Sequence, residues 1–247
     1  MIKFFRKIRY NLMSQNQTGK YLKYAIGEII LVVIGILIAL QINSWNENIQ
    51  KSTKEDYYLK SIRSSIDLSQ KEFDRVINDA ELVKSCADSL FVLLAEKDFE
   101  RLNGKFLDSL LFNAADYSVI SLNDGGIQEV LNTSSLDLIK DNKIRLYLVS
   151  WNDRLHKIRK YEEEAEYVSK QYNEILMGYI DMKRIMTNPG ECRVIPEKEL
   201  QLLNDPMLAN YLARITGIHN LMYQMYSEEK KEMDAFGISI DEYLKNR

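Results

Sequence analysis

The apolar positions of this chain fall into two kinds of pattern. Tyr24 to Ile42 reads YAIGEIILVVIGILIALQI, and Ile29 to Leu40 contains no polar side chain. Being apolar on every face, the run lacks the one-sided stripe of a helix packed on a soluble core. As a helix its 19 residues span about 28 Å, the thickness of a bilayer's hydrocarbon layer. A transmembrane helix is expected at residues 24–42.

Beyond it the pattern becomes one-sided. Leu59, Ile62, Ile66, Ser69, Phe73, Val76, Ala80, Val83, Ala87, Leu90 and Leu94 keep a strict 3-4 spacing, and all but Ser69 are apolar. That spacing predicts a bundle helix or coiled-coil-like helix of about five heptads. Neither Gly nor Pro occurs from Ile36 to Asn103, so the membrane helix can run straight into this one. Shorter helices are expected at Asn103 to Asp116 and Asp124 to Lys140, with Asp124-Gly-Gly opening the second and Thr133-Ser-Ser punctuating it.

A second long helix is expected from Asp141 to Met186. Its stripe runs through Ile144, Leu148, Trp151, Leu155, Ile158, Tyr161, Ala165, Val168, Tyr172, Ile175, Tyr179, Met182 and Met186. The repeated three-residue step at Ile158 to Tyr161 would overwind a coiled coil locally. Asn188-Pro-Gly ends the helix. The last helix runs from Asp205 to about Lys245, with Asp205 as N-cap and Pro206 at the first helical position. Leu208, Tyr211, Ile215, Ile218, Met222, Met225, Met233, Phe236 and Ile240 form its stripe, and Gly217 and Gly237 weaken it.

The expected fold is all-α: one N-terminal transmembrane helix, then an elongated antiparallel bundle of three long helices with short capping helices at the distal end. Residues 1–23 form a basic cytoplasmic N-terminus, 24–42 the span and 43–247 an extracytoplasmic helical domain. Ten Gly and three Pro in 247 residues agree with so much helix.

Charge sets the orientation. Before Glu28 stand six basic residues and no acidic ones; after it stand 27 basic and 35 acidic residues. Positive charge favours the cytoplasmic flank, and Asn43 to Asn48 on the other flank has none. Tyr24 and Trp45 sit where aromatic rings anchor at headgroups. Phe4 to Leu12 (FFRKIRYNL) is basic and aromatic, suited to an anionic inner leaflet. The basic stretch is long for a signal peptide and no small-x-small cleavage pattern follows, so an uncleaved anchor is expected.

Glu28 is the odd residue of the span. It reads as a carboxylate reaching back to the headgroups near Lys20 and Lys23; the alternative is an intramembrane contact with a partner. Glu28, Gly35, Ala39 and Asn46 fall within about 20° of one line along the helix. Glu28, Gly35 and Ala39 are thus a candidate membrane-helix contact face.

FFRKIR at Phe4 to Arg9 and KYLKYAIGEIILVVIGILIALQINSWNE at Lys20 to Glu47 resemble the opening of an uncharacterised family of bacterial single-span membrane proteins, a domain of unknown function. A looser resemblance covers SLNDGGIQEVLNTSSLDLIKDNKIRLYL at Ser121 to Leu148. The resemblance implies a bacterial inner-membrane protein facing the periplasm, and it carries no activity, cofactor or catalytic residue.

Little points to chemistry. Cys86 and Cys192 form no CxxC pair, and neither His156 nor His219 stands in a metal-ligand motif. With the second long helix returning toward the membrane, Cys86 and Cys192 would lie about 45 Å apart along the bundle, too far for a disulfide. His219 reads as a hydrogen-bonded, half-buried side chain and His156 as a surface residue. Glu162-Glu163-Glu164 reads as a solvated face. Asp153 with Glu162 is an acid pair too common in this composition to suggest catalysis. An acidic domain argues against nucleic acid. No cofactor, metal or catalytic residue is assigned, and no enzyme is expected. The partners expected are the lipid bilayer and a protein partner or a second copy of the chain. The reading is a membrane-anchored interaction or scaffold module of the envelope. The alternatives are a sensor-like ligand-binding bundle that signals through a partner, and an enzyme of unrecognised type.

Overall fold

The computed structural model describes residues 10, 18–97, 99, 103–133, 135–187 and 194–246. The described residues are all-α and contain no strand. The expected Asn188-Pro-Gly stop, Cys192 and most of the basic N-terminus fall outside them. The chain divides into two units, Met1–Asp56 and Tyr57–Arg247, taken separately below.

The first unit is built on α1, which is helical from Thr18 to Glu96 without a break, as the lack of Gly and Pro allows. From Ala25 onward α1 is long and apolar enough to cross a membrane. Its most apolar window has a mean hydropathy of 2.6, and none of that window is buried inside the protein. A core helix of a soluble protein would be mostly covered. Here Leu31, Leu37 and Leu40 stand open, as lipid-facing side chains do.

The second unit takes the rest of α1 and seven more helices. These are α2 (Gly104–Ala114), α3 (Gly125–Asn132), α4 (Asn142–Val149), α5 (Trp151–Tyr179), α6 (Met182–Thr187), α7 (Glu197–Leu203) and α8 (Pro206–Lys245), with a 3-10 turn at Ser135–Leu138. The stripe on α1 is buried from Leu59 to Leu90, Ser69 included, and only Leu94 is half-covered. α8 starts as predicted: the Asp205 carboxylate accepts the Met207 N–H at 2.8 Å, with Pro206 at its first position.

The expected helix from Asp141 to Met186 is in fact three. At Ser150 the hydroxyl turns back to the Tyr147 carbonyl at 2.8 Å, and α4 ends there. At Ile180 the backbone is extended and the side chain is buried. Asp181 then caps a new helix by accepting the Arg184 N–H at 3.1 Å. α6 was expected only as the end of one long helix, and α7 was not expected.

The overwinding step also disappears. Trp151, Leu155, Ile158, Glu162, Ala165, Ser169, Tyr172 and Leu176 alternate by four and three, and all but the half-covered Leu155 are buried. Glu162 takes the slot that an apolar-only reading gave to Tyr161.

Side-chain pairs fix the helix directions. Along α1 and α8, Arg63 meets Asp241, Gln70 meets Asp234, Asp74 meets Lys230 and Asp88 meets Thr216. Along α5 and α8, Arg154 meets Glu229, Glu162 meets Tyr226, Gln171 meets Arg214 and Tyr179 meets Asp205. Both α1 and α5 therefore run opposite to α8 and parallel to each other. The bundle of three long helices stands, but the second does not return against the first. The connector returns instead. Ser118 meets Asp79, Asn123 meets Ser69, Gly126 meets Ser65 and Ser135 meets Tyr58. Residues 118–135 thus run back along α1, so α3 is no cap; α2, α6 and α7 are the short helices that share the other end, in one apolar cluster. The cysteine argument changes with this. Its premise was a second helix returning against the first, and Cys192 itself lies outside the described residues.

Candidate functional site

The most concentrated buried chemistry lies where the connector crosses α1, α5 and α8. Glu162 is 3% exposed. Its Oε1 accepts the Ile120 N–H at 2.7 Å and the Tyr226 hydroxyl at 2.8 Å. Its Oε2 accepts the Arg159 guanidinium at 2.6 Å. A buried carboxylate needs such donors to offset its lost hydration. Burial, and next the Glu162 charge, raise the Tyr226 hydroxyl's pKa, which keeps it a donor. The Tyr226 ring meets Phe73 edge-on at 6.4 Å.

Around this carboxylate, residues 116–124 form a strap that belongs to no helix. A segment outside any helix leaves its backbone groups to find other partners. One face of α1 supplies most of them, from positions spaced by three and four. Ser118 donates to Asp79 at 2.6 Å, and the Val119 carbonyl accepts from Arg75 at 2.9 Å. The Ser121 N–H reaches Glu72 at 3.4 Å, and the Asn123 N–H donates to the Ser69 hydroxyl at 3.0 Å. The Arg75 guanidinium also holds the Glu72 carboxyl below the usual carboxylate range.

The strap ends at α3. Asp124, expected to open that helix, makes no side-chain cap. Its carboxylate instead accepts the Trp151 indole N–H at 2.8 Å and the Gln128 amide at 2.9 Å. Gly126 is there for space: a Cβ on it would lie 2.7 Å from the Ser61 carbonyl carbon and oxygen. This strap and α3 open the stretch Ser121 to Leu148 that carries the looser family resemblance.

A second polar group ties the short helices. Arg184 bridges Asp108 and Glu199, each at 3.3 Å, and both carboxylates are nearly buried. His219 is more buried than expected, at 2% exposure, and its Nδ1 has no partner among the described residues. Burial pushes its pKa down to about 4. The buried Tyr172 hydroxyl is likewise unpartnered, while His156 is exposed as expected. Among the described residues no cluster of three or more His, Cys, Asp or Glu could hold a metal ion.

The candidate face of the span lies on the uncovered part of α1. Glu28 is half-covered and lines a shallow open depression with Ala25, Ile29, Val32 and Val33. Gly35 and Ala39 do not line it; Ala39 is exposed, and a Cβ on Gly35 would touch nothing.

Sequence reasoning missed Glu162, Arg75 and the strap. One signal could have found Glu162: stepping by four from Ile158 lands on it. Chemically, its two oxygens are occupied by three protein donors, and this arrangement fastens the strap. Comparison with curated proteins and with solved structures gives no match. A family described as a family of unknown function (DUF6090) matches residues 28–186, more than half of the chain, and the chain belongs to that family.

Proposed function

We propose that this protein is a membrane-anchored helical interaction or scaffold module of a bacterial envelope. In this reading it is a single-pass inner-membrane protein with its N-terminus in the cytoplasm and its helical unit in the periplasm. It works by binding a protein partner or a second copy of itself, without catalysis. One observation carries the reading: α1 has an apolar, unburied stretch long enough to span a bilayer, on the same chain as a helical unit with its own core. The face Glu28, Gly35 and Ala39 is the candidate contact within the membrane, where small residues let helices approach closely.

Cross-linking in native membranes is the test. Recovery of a defined partner or dimer supports the proposal, and recovery of neither counts against it. Labelling of single cysteines placed at Ser14 and Ser52 with a membrane-impermeant reagent tests the orientation. Labelling of the Ser14 site alone in intact cells would reverse it. A sensor-like bundle that signals through a partner is the second reading. The unpartnered Tyr172 hydroxyl and His219 Nδ1 favour it, because unpaired buried polar atoms are places where a small polar ligand gains hydrogen bonds.

A further inference from the structure

The buried apolar side chains of the second unit do not join into one core. They form two clusters, one around Phe73 and one around Tyr172. The boundary falls between Ala80 and Val83 in α1, between Ala115 and Ile120 in the connector, between Ala165 and Val168 in α5, and between Ile215 and Ile218 in α8. The cuts in the connector, α5 and α8 fall near one level of the bundle, and the cut in α1 lies within about two turns of it.

Polar and small groups occupy that level. The Ser169 hydroxyl donates to the Ala115 carbonyl, and Thr216 donates to Asp88 at 3.2 Å. His219 lies there with an unpaired Nδ1. Such a layer contributes less packing than a continuous apolar core would.

The two sides are unequally fastened. The strap with its bonds to Ser69, Glu72, Arg75, Asp79 and Glu162, and α3 with its bond to Ser65, all belong to the Phe73 side. The Tyr172 side takes three short helices, α2, α6 and α7, of 11, 6 and 7 residues. Helices so short depend on tertiary contacts to form. The Tyr172 side also holds a buried hydroxyl with no partner, which lowers its stability further.

We propose that the second unit opens in two steps at this polar level: the Tyr172 cluster separates and recloses while the Phe73 cluster stays folded. The inference stands apart from the interaction-module reading. Partial opening of this kind is a property of contiguous, weakly fastened groups of elements.

Hydrogen exchange with mass spectrometry on the full chain in lipid nanodiscs tests it. Amides of α2 and of residues 202–215 should exchange together, on the order of tenfold or more faster than those of residues 62–76 and 222–236. Tyr172→Phe removes the unpaired hydroxyl at nearly constant shape. It should slow exchange several-fold on the Tyr172 side and leave the Phe73 side unchanged. Equal rates on both sides, faster exchange on the Phe73 side, or a Tyr172→Phe effect that is shared or absent each overturn the proposal.

Discussion

Two buried side chains make different demands on their surroundings. Glu162 needs its donors in place. Glu162→Ala would strand the Ile120 N–H and the Tyr226 hydroxyl in the interior, each costing about 1–3 kcal/mol. A loss of about 3 kcal/mol is expected in urea unfolding of the full chain in detergent, followed by circular dichroism. Glu162→Gln keeps a carbonyl oxygen for both donors and should lose about 1 kcal/mol. Equal losses from the two variants would mean that the hydrogen bonds do not carry the stability. His219 needs its charge absent. Its folded pKa of about 4 lies below the unfolded value of about 6.5, so the unfolded chain binds the proton more readily. The stabilisation is present above pH 6.5 and fades as pH falls toward 4, by up to about 3 kcal/mol. The unfolding midpoint should therefore fall between pH 7 and pH 5, and His219→Gln should flatten that fall. An unchanged slope would clear His219. Neither role was legible in the sequence. Glu162 sits in a run of three glutamates whose charge suggests solvent, and only its phase on the 4-3 stripe distinguishes it from Glu163 and Glu164. His219, four residues after Ile215 on the inner stripe, reads as half-buried and hydrogen-bonded, whereas it is fully buried with Nδ1 unpaired.

Periodicity made the long elements legible and left the strap unread. The α1 stripe and the Asp205-Pro206 start of α8 came from spacing and capping chemistry that act within a few residues. Residues 116–124 have no period, because their backbone is held by side chains of another element some forty to sixty positions away in sequence. The two glycines that follow look alike in the sequence and differ in the fold. Gly125 has open space where a Cβ would go, whereas Gly126 backs onto the Ser61 carbonyl. Gly126→Ala must push α3 off α1 and should cost about 2–3 kcal/mol, in the range of overpacking. Gly125→Ala should be neutral or stabilise by up to about 1 kcal/mol, since it restricts only the unfolded chain. Thermal unfolding of the two variants side by side gives the comparison. Similar midpoints would mean that α3 does not approach α1 as closely as the structure has it.

At the scale of the second unit, the all-α class follows from composition and stripes, but helix direction does not. A stripe states which face is buried and is silent on which way the next helix runs. That depends on the connector from Glu96 to Asn142. A short cap would have sent α5 back against α1; the strap instead carries the chain to the start of the bundle, and α5 repeats the direction of α1. The difference can be read by cross-linking. With Cys86 and Cys192 replaced by serine, the pair Asp79→Cys with Ser118→Cys should bridge with a short thiol reagent. So should Tyr58→Cys with Ser135→Cys, because the native side chains at both pairs are in hydrogen-bond contact, at 2.6 and 3.0 Å. A connector that turned back at the level of Asp79 would let the first pair bridge and keep the second apart. Residues 58 and 79 are 21 positions apart on one helix, about 31 Å at 1.5 Å per residue, so no local fraying brings Ser135 to both. Bridging at Asp79 without bridging at Tyr58 would therefore remove the parallel arrangement of α1 and α5, and with it the shared level at which the two apolar clusters meet.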